Sequence, residues 1–292
     1  MMFPTTHMGL NRMNIKSWTM LFAFSLLSIG TSETLSQNQL VDAEIQVLST
    51  NLANNGTRGE WGFAALVKTR VEGQDVEHCV LWDTGRYPET VLQNAISLGV
   101  DLSCVQDIVL SHFHFDHTGG LFRILDHLAA DPETNPIKVT VAEGIFQPRH
   151  LNTDVQAAAP LYAMLGTARW NLLERDRKQL ESGGAVFIEI DRATEIVPGV
   201  WATGPVTRTF NEENYPKFSV FKQDSGSSTV DTVPESQGLV IKAPEGPIVL
   251  SGCGHAGTVN LVNHVTRTIQ SGPLLALMGG LHLYNASEDT LR

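Results

Sequence analysis

Within six positions of this 292-residue chain, three imidazoles and one carboxylate fall together: His112, His114, Asp116 and His117. They lie in the run Ser111-His112-Phe113-His114-Phe115-Asp116-His117-Thr118-Gly119-Gly120. The chain has ten histidines in all, so such density does not follow from composition. Residues 107–110 are apolar enough to predict a short strand leading into the run. In an extended segment alternate side chains share a face, so His112 and His114 can grip one metal ion. Asp116 and His117, from the turn that follows, can reach a second. Two ions about 3.5–4 Å apart can hold a bridging hydroxide and clamp a substrate oxygen. Imidazole and carboxylate suit zinc, and equally iron or manganese, so ligand type leaves the metal open. Asp116 is also the expected catalytic carboxylate, steering or accepting a proton.

Two later histidines have a related setting. His255 sits in Ser251-Gly252-Cys253-Gly254-His255-Ala256-Gly257, after a predicted strand over 247–251. His282 sits in Gly279-Gly280-Leu281-His282-Leu283, after a predicted strand over 274–278. Glycine lets backbone approach an ion closely, so both are expected as further metal ligands. Cys253 is a thiolate candidate for zinc, with a plain buried thiol as the equal alternative. His78, His127, His150 and His264 are isolated and read as solvated or locally hydrogen-bonded.

The N-terminus reads as an address. Residues 18–29, WTMLFAFSLLSI, carry no charge, follow Arg12 and Lys16, and lead into Gly30-Thr31-Ser32-Glu33. A basic flank, a short apolar run and a small-residue exit describe a secretory signal peptide over 1–35. The run is shorter than the roughly 20 apolar residues that cross a bilayer. The expectation is a secreted or periplasmic protein with no stable membrane span after cleavage; an uncleaved interfacial anchor is the alternative. Residues 36–292 contain no Pro/Ser-rich linker and are expected to form one domain.

Lys+Arg number 20 and Asp+Glu 31, a net charge of −11. That excludes nucleic-acid binding driven by bulk charge and leaves a small-molecule substrate as the expected partner. Oligomeric state is not encoded in these patterns. The three cysteines, Cys79, Cys104 and Cys253, are too few for a disulfide framework. One bridge is open to them, but buried thiols are the plainer reading of Cys79 and Cys104.

Strands are predicted over 43–49, 63–69, 78–82, 137–142, 186–190, 195–202 and 238–243 as well, and helices over 89–98, 119–128, 170–180 and 258–269. Trp170 reads as part of an amphipathic surface helix. The polar, Gly-rich residues 210–235 read as a long loop over a site. Strands dominating each half, with helices interleaved, imply an α/β (α+β) fold of sheets covered by helices.

These residues resemble the metallo-β-lactamase fold superfamily. His112, His114, Asp116 and His117 match its H-x-H-x-D-H signature, and Leu81-Trp82-Asp83-Thr84-Gly85 resembles its upstream strand-end Asp-Thr-Gly. The resemblance implies that Asp83 orients a metal-binding histidine from behind. Trp61-Gly62-Phe63 and the segments around His255 and His282 narrow it to one branch. That branch comprises metal-dependent hydrolases related to the dihydropteridine-ribofuranosylaminobenzene phosphate synthases. From about Glu44 onward it implies an αββα sandwich with the metal site at one edge, between two pseudo-symmetric halves.

The sequence departs from the pattern twice. Common superfamily members carry another histidine where this chain has Ala202-Thr203-Gly204-Pro205-Val206-Thr207-Arg208, which leaves His255 to take over. The branch also ends in a His-Cys-Thr-Gly segment that does not follow His282 here, so either a C-terminally shortened chain or one lacking a ligand is expected. The functional expectation is a metal-dependent hydrolase acting on an ester, lactone or phosphoester with one or two zinc ions. The departures argue against a β-lactamase proper. A pterin-linked phosphate synthase, a metal-binding protein without turnover, and a diiron redox protein are the alternatives.

Overall fold

Alternation along the strands decides how the layers stack. The computed structural model describes residues 13–14, 40–54, 56–129, 136–167, 169–283 and 288. The expected signal peptide lies outside the described residues, except that Met13–Asn14 form a two-residue strand, β1, beside Ile45 and Glu44. The chain then runs through β2 (Leu40–Ser49), β3 (Ala64–Val71), β4 (His78–Trp82), α1 (Thr90–Leu98), β5 (Val105–Val109), α2 (Phe115–Thr118), α3 (Leu121–Leu128) and β6 (Ile137–Ala142). There follow β7 (His150–Leu151), α4 (Ala159–Leu165), α5 (Leu172–Ser182), β8 (Ala185–Ile190), β9 (Thr194–Val197) and β10 (Val200–Ala202). The last elements are β11 (Ser219–Lys222), β12 (Ser228–Val230), β13 (Gly238–Ala243), β14 (Gly246–Ser251), α6 (Thr258–Thr268) and β15 (Ala276–Gly279).

One sheet has the order β1-β2-β3-β4-β5-β6-β8 and a second β15-β14-β13-β10-β9; a small third sheet is β12-β11-β7. Strands β4, β5, β6 and β8 are parallel neighbours, and helices supply the crossovers, as parallel pairing requires. On the first sheet Leu66, Leu81 and Ile108 pack under Val91, Ala95, Leu121, Ile124 and Leu125 of the helices. The alternate residues Ala65, Val67, Val80, Trp82 and Val109 face Leu239, Ile241, Ile248 and Leu250 of the second sheet. Val240 and Val249 point to that sheet's other side, against Leu261 and Val265 of α6. The result is the four-layer αββα sandwich that the resemblance implied. Trp82, wholly buried between the sheets, anchors this contact; truncation to alanine should cost about 3–5 kcal/mol.

Most predicted elements are present within a residue or two, and Gly99 ends α1 in a left-handed conformation (φ 67°). Four readings need correction. The single strand expected over 195–202 is a hairpin, β9 and β10, because Pro198-Gly199 turns the chain, with Gly199 at φ 80°. Residues 210–235 are not all loop but contain β11 and β12, and α4 lies in a stretch read as irregular; all three are short, and β12 and α4 bury no residue. Trp170 precedes α5 rather than riding on it: the helix starts after Asn171, whose side chain accepts from the Glu174 amide at 3.1 Å. Cys79 and Cys104 are not free thiols but a disulfide. Cys79 pairs with Val105 across β4 and β5, which brings Cys104 alongside at a Cα separation of 5.7 Å. Among the described residues no helix is long and apolar enough to cross a membrane.

Candidate metal centre

The centre forms where β5 delivers the dense motif to the edge between the two sheets. The strand ends at Val109, earlier than expected, and residues 110–114 form an extended bend. His114 keeps an extended backbone (ψ 141°) at the start of α2, whose single turn then swings Asp116 and His117 inward. The ring centroids of His112 lie 4.5 Å from His114, 4.4 Å from His117 and 4.8 Å from His255. His114 and His255 are 4.7 Å apart, and His255 and His282 4.9 Å.

Asp83 ties the motif to β4. It sits at φ 55°, a conformation uncommon for a residue with a side chain. One carboxylate oxygen, Oδ1, accepts the Ser111 amide at 2.7 Å; the other, Oδ2, accepts the Ser111 hydroxyl and His117 Nδ1–H, each at 2.7 Å. The serine's one hydroxyl proton is thereby used, so its contact of 2.8 Å with His112 must take the Nδ1 proton of that ring. His112 therefore presents its Nε2 lone pair. The packing around this linkage explains Gly252: a Cβ there would stand 2.0 Å from Ser111 Oγ and 3.0 Å from Asp83 Oδ2.

His255 arrives from the second sheet, with its Nδ1 held 2.5 Å from the Asn214 carbonyl. A carbonyl only accepts, so Nδ1 carries the proton and Nε2 faces the centre. That Nε2 lies 3.1 Å from His114 Nδ1, close to the roughly 3.3 Å edge of a tetrahedron with bonds of about 2.0–2.1 Å. His282, at φ 50°, is placed by a crossing of two backbones: Gly280 N–H donates to Gly252 O at 3.1 Å, and Ser251 Oγ donates to Gly280 O at 2.8 Å.

Burial sets the charge states. It lowers His112 and His114 well below the ordinary imidazole pKa, with the neighbouring imidazoles adding to the effect, and pushes His255 down to about 3. These three rings are neutral at neutral pH, as metal ligation requires. Burial opposes charge on His117 too, but the Asp83 and Asp116 carboxylates outweigh it and hold that pKa well above the ordinary value. Burial lowers His282 and raises the Cys253 thiol.

The residues fit a metal. Nε2 of His112 is buried with no hydrogen-bond partner, a costly state that an ion would relieve. The nitrogens of His112, His114 and His255 lie within 4.8 Å of one another, as do the ligand atoms of Cys253, His255 and His282. His117 Nε2 is 3.7 Å from Asp116 Oδ2. All seven of Asp83, His112, His114, Asp116, His117, His255 and His282 thus meet at one place, and Cys253 lines the same cavity as Asp116, His117 and His282. His264 does not join them; it sits between the Thr207 amide (3.1 Å) and Thr203 O (3.3 Å).

Sequence reasoning missed three contributors. Ser111 carries no metal-ligating group, so nothing in the motif marks it as the link between Asp83 and His112. Asn214 acts through its backbone, which no side chain advertises. Trp170 was read as a surface residue, yet it is buried, with its ring 4.9 Å from that of His114 and its Nε1–H on Ser219 Oγ at 3.1 Å. Behind it lies a buried ionic group: Arg149 donates to Glu235 at 2.5 Å, approaches Asp231 at 3.5 Å, and covers the Phe113 ring at 4.6 Å. A cavity of about 720 Å³ opens on His114, His255 and His282; Trp61, Trp170, Tyr215 and Phe218 wall it, with Arg86 and Lys217. A second, of about 630 Å³, reaches Asp116, His117, Cys253 and His282.

A family model described as the Metallo-beta-lactamase superfamily matches residues 69–255 of the chain. A 7,8-dihydropterin-6-methyl-4-(beta-D-ribofuranosyl)-aminobenzene-5'-phosphate synthase of Methanocaldococcus jannaschii is 28% identical over 232 residues, which cover 79% of this chain and 73% of the relative. An uncharacterized protein of the same organism is 24% identical over 247 residues, covering 85% and 82%. Among solved structures, a metal-dependent hydrolase of the beta-lactamase superfamily superposes with a TM-score of 0.62 at 25% identity, covering 85% of this chain and 79% of that one.

Proposed function

The chain belongs to the metallo-beta-lactamase superfamily, and from that premise we propose that it is a metal-dependent hydrolase of a small ester, lactone or phosphoester. The observation that carries this reading is the convergence of three buried, neutral imidazoles, His112, His114 and His255, with Nε2 of His112 unpartnered. These three would hold one ion, and Asp116, His117 and His282 a second. Zinc suits the donors, with iron or manganese as alternatives. When bound, such an ion supplies Lewis acidity to a substrate oxygen and a nucleophile at neutral pH.

The chain's own residues do the rest. Asp83 fixes the orientation of His117 directly and of His112 through Ser111. Asp116 lines both cavities and would steer or accept a proton. The aromatic walls exclude water from one side, and Arg86 favours a substrate with an anionic group. The pterin-linked synthase is the second reading, favoured by the relative of that name and by the same aromatic walls. We also propose an exported protein, supported by the N-terminal apolar run and by the Cys79–Cys104 disulfide, since such bridges persist in oxidising compartments.

The decisive experiment is elemental analysis of purified protein after dialysis, repeated with His114→Ala, followed by assays on esters, lactones, phosphodiesters and pterin substrates. Bound transition metal that is lost in the variant, with chelator-reversible hydrolysis, is the expected result. Ion content equal to that of the buffer in the native protein would end the hydrolase reading. Turnover of pterin substrates alone would favour the synthase.

A further inference from the structure

The first turn of α6 lacks a cap of its own. Its N-cap is Gly257, which has no side chain, while the leading amides of a helix need acceptors. The acceptor comes from another segment. The Glu212 carboxylate takes the Val259 amide at 3.2 Å and the Asn260 amide at 2.8 Å, where its charge also complements the helix dipole. Glycine at 257 makes room for it: a Cβ there would stand 2.3 Å from the Glu212 carboxylate oxygen. Wholly buried Asn260 completes the clamp. Its side-chain oxygen accepts the Thr209 and Phe210 amides at 2.7 and 2.8 Å, and its Nδ2 donates to Phe210 O at 3.0 Å and Ala256 O at 2.9 Å. Two residues beyond Glu212, the Asn214 carbonyl takes the Nδ1 proton of His255.

We propose that Glu212 and Asn260 are positioning residues for His255. They bind residues 209–214 to the start of α6, hold the Asn214 carbonyl on His255 Nδ1, and so fix the tautomer that offers Nε2 to the centre. The last glycine of the Ser251–Gly257 segment is then explained as the seat of a carboxylate from a distant loop. The metal-affinity arm of the test rests on the proposed function; the tautomer arm does not.

The test uses the full chain labelled with ¹⁵N-histidine, metal-free and folded, with NMR reporting which His255 nitrogen bears the proton and His255→Gln assigning the signal. The native protein should show Nδ1–H alone. Glu212→Ala should mix the two tautomers and weaken Co(II) binding about 10–100-fold, the range for groups that orient a metal-binding histidine. Glu212→Gln, which keeps an acceptor without the charge, should fall between and carries the test should the alanine variant not fold. Thr268→Ala, which removes a hydrogen bond at the far end of α6, should change neither. A single Nδ1–H tautomer with native Co(II) affinity in Glu212→Ala, or in Glu212→Gln in its place, would overturn the proposal. A native protein that binds no cobalt yet shows the tautomer shift would end the metal reading and leave this one standing.

Discussion

The two sides of the centre are built differently. On the first sheet's side, His112, His114, Asp116 and His117 come from one bend, and a single carboxylate, Asp83, braces it. On the second sheet's side, His255 and His282 come from separate strand ends. One depends on the carbonyl of a distant loop and the other on a crossing of two glycine-rich backbones. The first side is also the better secured, with a disulfide, a broad helix-covered core and the buried Arg149 group behind Phe113. Among the described residues, the second is backed by α6 and a small cluster around Val240 and Val249. A motif dense in sequence needs few outside supports, because the local backbone already sets its spacing; a scattered set must be positioned by the fold.

Removal of one ring from each side tests this contrast most strongly. His114→Ala and His255→Ala should each bring bound metal down to the dialysis background, while His282→Ala, on the half-exposed edge, should leave a reduced but measurable content by elemental analysis. Equal loss from all three would erase the distinction. Next in size, replacing Cys79 and Cys104 by serine removes a bridge between residues separated by 25 positions. That should lower stability by about 3 kcal/mol in denaturant titrations and leave metal affinity unchanged, since the bridge braces a strand and not the bend. Asp83→Ala should weaken metal binding about 10–100-fold in competition titrations, with a fall in affinity shared by His112 and His117 because one carboxylate serves both.

The smallest effect concerns Glu235. Burial raises its pKa from 4.5 to about 7, against the pull of Arg149 and with the help of Asp231. A carboxyl whose pKa is raised on folding holds its proton in the folded state while the unfolded chain has lost it. Its contribution is therefore complete below about pH 4.5 and is lost as pH rises through about 7. Between pH 6 and 8 this amounts to about 1 kcal/mol. Glu235→Gln should flatten that part of the stability profile in thermal melts at several pH values, and an unchanged slope would remove Glu235 as its source.

Much of the fold was legible because its signals are local. Strand alternation, the helical spacing of 89–98 and the stop at Gly99 are settled between near neighbours, and so is the bend of 111–117. The misreadings fall where distant contacts decide. Trp170 sits among charged residues in sequence but is buried against His114 in space. Cys79 and Cys104 become a pair only because β4 and β5 lie side by side.

By itself, then, the order of residues determined the layer pattern and which side chains could take part in a metal site, since period-two burial and ligand density are properties of short segments. Only the tertiary structure decided that His255 and His282 meet the motif, which ring nitrogen His255 presents, and that a carboxylate from residue 212 caps α6. Those outcomes depend on backbone atoms and on the closing of long loops, and a glycine such as Gly257 marks where another segment comes close without saying which.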